Sequence, residues 1–253
     1  VICDADCDQT LPELVSDGSG GAIITWQDER NDEGDIYVQR VNALGVVQWT
    51  TKGVVVCNAD SLQEQPQIVS DGAGGAIIAW MDYRNGNYDI YAQRVDSAGI
   101  PQWTTNGVAI CTAPDTQYTT LWHGMVADGA GGAIITWQDK RSGDWDIYAQ
   151  RVNSSGIVQW TANGVVICNA ANEQGAPDIT SNGSGGAIIA WTDGRNGDWD
   201  IYAQKVNASG VIQWTLNGVA VCTAPDTQQW SWLISNGSGG AIITWQDRRN
   251  GDW

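Results

Sequence analysis

A single heptapeptide constrains this chain more than any other feature. Gly-Gly-Ala-Ile-Ile-(Thr/Ala)-Trp occurs five times, ending at Trp26, Trp80, Trp137, Trp191 and Trp245, at intervals of 54, 57, 54 and 54 residues. Cys3, Cys57, Cys111, Cys168 and Cys222 follow the same period, at intervals of 54, 54, 57 and 54 residues, so the period belongs to the whole chain and not to one motif. A unit of this size buries its apolar surface against its neighbours. The chain therefore reads as a single repeat domain over residues 1–253, with units at 4–57, 58–111, 112–168, 169–222 and an incomplete 223–253.

Within a unit the local signals are all of strand type. In the second, Gln67-Ile68-Val69-Ser70 (strand a) ends at the turn Asp71-Gly72-Ala73-Gly74. Strand b, Ala76 to Met81, is rich in β-branched and aromatic residues. Asn85-Gly86 is a hairpin signal, and strand c runs from Asp89 to Val95. Strand d starts around Pro101-Gln102-Trp103 and resumes at Val108 to Cys111 after the turn at Asn106-Gly107. No helical period is present. Four antiparallel strands per unit predict an all-β chain, a β-propeller of four-stranded blades with four full repeats and a partial fifth. An open β-repeat array is the alternative; a β-solenoid, with its parallel pairing, is disfavoured by the hairpin turns.

The string Ser-Asp-Gly-x-Gly-Gly-Ala-Ile-Ile-x-Trp-x-Asp-x-Arg-Asn-Gly-Asp-Trp-Asp-Ile-Tyr-Ala-Gln-Arg-Val-Asn resembles the highly repetitive β-propellers of large secreted or surface proteins of bacteria. The resemblance covers the whole chain and implies an extracellular or cell-surface setting. It is specific for the repeat and uninformative about activity. Sialidase-type propellers carry an Asp-box, Ser-x-Asp-x-Gly-x-x-Trp; the spacing here differs, so that activity is not carried over.

The phase of the two ends bears on assembly. Val1-Ile2-Cys3 matches the end of a strand d, and Gly251-Asp252-Trp253 matches the tip of a b–c hairpin. This leads to the expectation of a longer array, or of other copies of the chain supplying the missing strands.

Among residues with chemical potential, the b–c hairpin stands out. Asp28, Asp82, Asp139, Asp193 and Asp247 are each followed two places on by Arg30, Arg84, Arg141, Arg195 and Arg249, an i, i+2 pair on one strand face. An ion pair with turn-capping hydrogen bonds is the structural reading; a calcium loop through Asp193, Asn196, Asp198 and Asp200 is the alternative. No other cofactor is indicated, and one histidine with six cysteines offers no metal motif. Tyr88, Trp145, Trp199 and Trp253 follow the turn directly, with Gly34 in their place in the first unit, and are candidate contacts for a glycan or a protein partner. Trp26 and its counterparts, and the series Trp49, Trp103, Trp160 and Trp214, read as packing between blades. The periodic cysteines read as buried free thiols; Cys7 is outside the period, and a Cys3–Cys7 disulfide is a candidate. Asn153, Asn182, Asn207 and Asn236 head sequons in turns and are candidate glycosylation sites. His123, in the one irregular unit, reads as a local structural residue.

With 29 acidic against 12 basic residues and a formal net charge of −17, a phosphate-tracking groove is excluded, and with it nucleic acid as a partner. No apolar run reaches the ~18 residues of a membrane span, so membrane insertion is not expected. An enzyme gathers unlike residues at one place, whereas this repeat spreads like residues over every unit. The expectation is accordingly a non-catalytic extracellular structural or interaction protein, self-assembling into a surface or fibre component, and not an enzyme; a lectin-like multivalent glycan-binding propeller is the alternative.

Overall fold

The Ala-Ile-Ile-x-Trp core of every repeat forms the second strand of a sheet, because its β-branched residues fill both faces of a strand buried between two others. The computed structural model describes residues 1–31, 33–119, 123–249 and 251. The first blade comprises β1 (Gln9–Ser16), β2 (Ala22–Asp28), β3 (Asp35–Val41) and β4 (Val54–Cys57). The second comprises β5 (Gln63–Ser70), β6 (Ala76–Asp82), β7 (Asp89–Val95) and β8 (Val108–Cys111). In the third, the first strand is split into β9 (Gln117–Tyr118) and β10 (Met125–Ala127), followed by β11 (Ala133–Asp139), β12 (Asp146–Val152) and β13 (Val165–Cys168). The fourth holds β14 (Gln174–Ser181), β15 (Ala187–Asp193), β16 (Asp200–Val206) and β17 (Val219–Cys222), and the fifth β18 (Gln228–Ser235) and β19 (Ala241–Asp247).

Within each blade the strands pair antiparallel in chain order, except that β9 pairs with β11 beside β10, and no helix occurs among the described residues. The b–c hairpin keeps strict register, with Trp80 opposite Tyr91 and Asp82 opposite Asp89 in the second blade. The first strands of successive blades lie side by side, β1 on β5, β5 on β10, β10 on β14 and β14 on β18, which is the inner wall of a propeller. On the first blade Leu14 is 66% exposed, and on the fifth Ile234 is 63% exposed, so both outward faces of the set of blades are open.

The apolar core lies between blades. Ile77, Met81, Ile90 and Ile110 of the second pack with Met125, Ile135, Trp137 and Tyr148 of the third. Polar rivets repeat beside it. Arg94 binds Asp71 of its own blade through Nη2 (2.8 Å) and reaches Ser154 O of the next through Nη1 (3.3 Å). Trp103 Nε1 donates to the same Ser154 O (3.1 Å), and its ring lies where a Cβ on Gly156 would come within 2.8 Å.

Two features differ from the sequence expectation. Strand a begins four residues earlier, at Gln63, because a β-bulge carries the pairing past Pro66: Glu64 pairs with Met81 and Gln67 with Ala79, leaving one extra residue. Strand d is confined to Val108–Cys111, and Pro101 makes only an isolated bridge to Val95.

Candidate functional site

The repeated hairpin is fully occupied by its own contacts. Asp82 is 0% exposed; it accepts from Trp80 Nε1 (2.8 Å), from Arg84 Nε (2.8 Å) and from Arg84 N (3.0 Å). Arg84 Nη2 also donates to Asn106 O (2.9 Å) and to Cys57 Sγ of the preceding blade (3.2 Å), while its guanidinium lies 4.0 Å from the centre of the Tyr91 ring. Asp139–Arg141 and Asp193–Arg195 repeat this set, as does Asp28–Arg30. Asp247–Arg249 pairs in the same way but with the arginine about half exposed. The thiols of Cys57, Cys111 and Cys168 are pushed up to about 12 by burial, which makes them inert inter-blade contacts.

This geometry corrects two expectations. In the calcium reading, Asp193 has both oxygens committed to Trp191 and Arg195, and Asp200 accepts from Asn196 Nδ2 (2.7 Å). Arginine already supplies the cation, and no cluster of three His, Cys, Asp or Glu side chains suited to a metal occurs among the described residues. Cys3 and Cys7 are both free; Cys3 Sγ instead accepts from Arg30 Nη2 (3.2 Å), filling in the first blade the role of Cys57 in the second.

The hairpin-tip aromatics settle onto their own blades. Tyr88 meets Tyr83 edge-on at 5.0 Å and, half-buried beside Glu64, has its phenol pushed up to about 12 by desolvation and by that carboxylate. Trp145 lies under Lys140 Nζ, 5.2 Å away, and its backbone N–H donates to Glu173 (2.8 Å). Trp199 covers Gly194 and is 37% exposed. Trp253 lies outside the described residues. Of the sequon asparagines, Asn182 is 5% exposed and donates its Nδ2 to Val206 O (3.2 Å), so a glycan at that nitrogen is sterically excluded. Asn153, Asn207 and Asn236 use their side-chain oxygens to cap turns.

Unlike residues do converge, on the innermost strands. At the bulge the backbone turns to positive φ on a different residue in four of the blades: Leu11 (49°), Gln65 (53°), Ala176 (49°) and Trp230 (52°); in the third, His123 (55°) directly precedes Gly124, whose O accepts from Thr136 N. Non-glycine residues hold this conformation only where their surroundings enforce it. For two of them the preceding blade does so: Gln138 Oε1 accepts from Ala176 N (2.8 Å), and Thr192 Oγ1 from Trp230 N (3.3 Å). The ladder position after each bulge is again different in every blade: Glu13, Gln67, Gly124, Asp178 and Trp232.

Three of these residues form an electrostatic unit. Burial raises the Glu13 carboxyl, and the charge of His123 works against the rise. Asp178, 4% exposed, is raised by burial to about 6, against the pull of hydrogen bonds from Leu233 N and Ile179 N (2.7 Å each) and of His123. Glu13 belongs to the first blade, His123 to the third and Asp178 to the fourth. Exposed Trp230 and Trp232 flank the same stretch of the fifth inner strand. These positions differ from blade to blade, so no recurring motif marks them in the sequence, and their differences are the only signal they leave there. His123 is expected to be a local structural residue; its charge lowers both carboxyls, as the smallest of the influences on each.

No family model and no curated sequence matches the chain. Solved structures match over nearly its full length. A protein of unknown function from Dyadobacter fermentans is 10% identical with a TM-score of 0.57, covering 98% of this chain and 78% of its own. An α-L-arabinofuranosidase from Fusarium graminearum is 11% identical with a TM-score of 0.52, covering 94% and 75%. A Hadza microbial sialidase is 14% identical with a TM-score of 0.51; this chain is covered to 96% and spans 54% of it. The propeller blade is therefore the fold, and the resemblance to secreted repeat propellers holds at that level. The expectation of a non-catalytic structural or fibre-forming protein, and of no enzyme, is corrected: an α-L-arabinofuranosidase and a sialidase share this scaffold.

Proposed function

We infer that this chain is a carbohydrate-active propeller that holds its glycan at the axial end of the inner strands, in an extracellular or cell-surface setting. The observation that carries the reading is the convergence there of the positions at which the repeat departs from itself, with two carboxyls of unequal environment beside one histidine. The names of the sialidase and the arabinofuranosidase support it, since both act on sugars in the same fold. Hydrolysis of a glycosidic bond requires a proton for the departing oxygen and charge stabilisation on the opposite side of the sugar. Glu13, partly exposed and raised by burial, is the proton donor. Asp178 is covered and acts through His123 as a positioning group. Trp230 and Trp232 offer the apolar ring faces on which sugars stack.

The test is a screen of oligosaccharides for reducing-end release and for binding. An oligosaccharide that is turned over by the native chain should be cleaved at least about 100-fold more slowly by Glu13→Gln, the usual weight of a general acid, with binding retained. Undiminished turnover in Glu13→Gln, or neither binding nor turnover across the screen, overturns the reading.

A further inference from the structure

The inner strands have one sign of charge. β1, β5, β10, β14 and β18, with the short β9, carry Glu13, Glu64 and Asp178 and not one Lys or Arg. All twelve basic residues stand elsewhere in the blades. Eight of the nine arginines are ion-paired with an aspartate of their own blade. The ninth, Arg248, is at the fifth hairpin tip, directly after β19. Lys52 and Lys140 face Asp4 and Glu173, and Lys205 donates to Gly239 O (2.8 Å). His123 alone brings positive charge to the bulges, and that charge already acts on Glu13 and Asp178.

Main-chain donors along the bulges are engaged as well. A bound carboxylate needs a guanidinium, an ammonium or converging N–H groups. Gly124 N donates to Gln67 Oε1 (2.6 Å), Ala176 N to Gln138 Oε1 (2.8 Å), Trp230 N to Thr192 Oγ1 (3.3 Å) and Leu233 N to Asp178 Oδ2 (2.7 Å). No helix among the described residues offers an N-terminus in their place. The groups left over are neutral oxygens: Gln65 Oε1, Thr119 Oγ1 and Ser231 Oγ are buried and meet no partner among the described residues. An amide oxygen only accepts and a hydroxyl does either, so sugar hydroxyls suit this set, whereas a carboxylate has no proton to give it. Exposed Trp230 and Trp232 add uncharged ring faces.

We infer that the axial site selects uncharged sugars and rejects those that carry a carboxylate, the uronic and sialic acids. The inference rests on the axial reading and narrows its substrate class. An acidic sugar entering there would bring an anion out of water toward strands whose only charged groups are carboxyls, with no cation free to pair with it.

Titration calorimetry at pH 7 tests it on the whole Glu13→Gln chain, which on the axial reading keeps binding while cleavage slows. The probes are arabinotriose, xylotriose, galactotriose and the methyl ester of trigalacturonate on the uncharged side, and trigalacturonate and 3′-sialyllactose on the acidic side. At least one uncharged probe should bind, and each acidic probe should bind at least about 10-fold more weakly than the best of them. Adding Asp178→Asn should narrow that gap at least about 3-fold, because it removes a like charge and keeps the shape of the side chain. An acidic probe that binds as tightly as the best uncharged one, or a gap unchanged by Asp178→Asn, overturns this inference; if cleavage by the native chain still depends on Glu13, the axial reading survives that result. Neither binding of any probe nor turnover of any by the native chain overturns both.

Discussion

A carboxyl buried without a cation holds its proton more tightly, and Asp178 ionises near 6 in the folded chain against about 4 in an unfolded one. Below pH 4 both states are protonated and its contribution to stability is fully present. That contribution is lost as pH rises to 6, because the folded state then resists an ionisation that the unfolded state completes freely. Two pH units correspond to on the order of 3 kcal/mol. In urea unfolding at pH 4, 5, 6 and 7, native stability minus that of Asp178→Asn should fall by this order across the window; a flat difference would show that Asp178 does not titrate there. The Asp139–Arg141 pair is the opposite case, a buried carboxylate held by its own cation. Asp139→Ala strands the guanidinium and removes the acceptor of Trp137, and should cost about 3 kcal/mol. Asp247→Ala, in the solvated copy, should be far milder by the same urea assay. The Asp–Arg pairs were legible in the sequence, since two residues of opposite charge at i, i+2 share a strand face. Glu13 and Asp178 were not, because neither belongs to a recurring motif.

At the scale of elements, the turns do more than reverse the chain. Gly129 and Gly156 have nearly the same backbone, φ +78° and +79°, yet a Cβ on Gly129 would meet nothing within 4 Å, while one on Gly156 would meet the Trp103 ring at 2.8 Å. Gly129→Ala should therefore cost only the left-handed backbone penalty, about 1 kcal/mol. Gly156→Ala adds the displacement of a tryptophan that links two blades, and should cost about 2–3 kcal/mol. Equal losses in thermal unfolding would mean that the Trp103–Gly156 contact contributes nothing. The hairpins and turns were readable because Asn-Gly, Asp-Gly and alternating β-branched residues act locally. The bulge was not, since its positive φ falls on chemically different residues and, at Ala176 and Trp230, is held by hydrogen bonds from the blade before.

For the molecule as a whole, repetition and convergence predict different binding. Period and blade architecture were legible because each blade sees nearly the same neighbours, so one unit describes them all. The axis belongs to no unit; it is where the inner strands meet, and only a three-dimensional arrangement brings Glu13, His123 and Asp178 together. A glycan held by hairpin-tip aromatics would occupy several equivalent sites, gain by avidity and weaken with each ring removed. A glycan held at the axis has one site, since the chain has one axis. Calorimetric titration with an oligosaccharide that binds should thus give about one ligand per chain, from the single-site geometry of a convergent pocket. Trp199→Ala should leave both stoichiometry and affinity unchanged, whereas Trp232→Ala should weaken binding at least 10-fold through loss of a stacking face. Several ligands per chain, with affinity lost on Trp199→Ala, would return the function to the hairpin tips and remove the axial site.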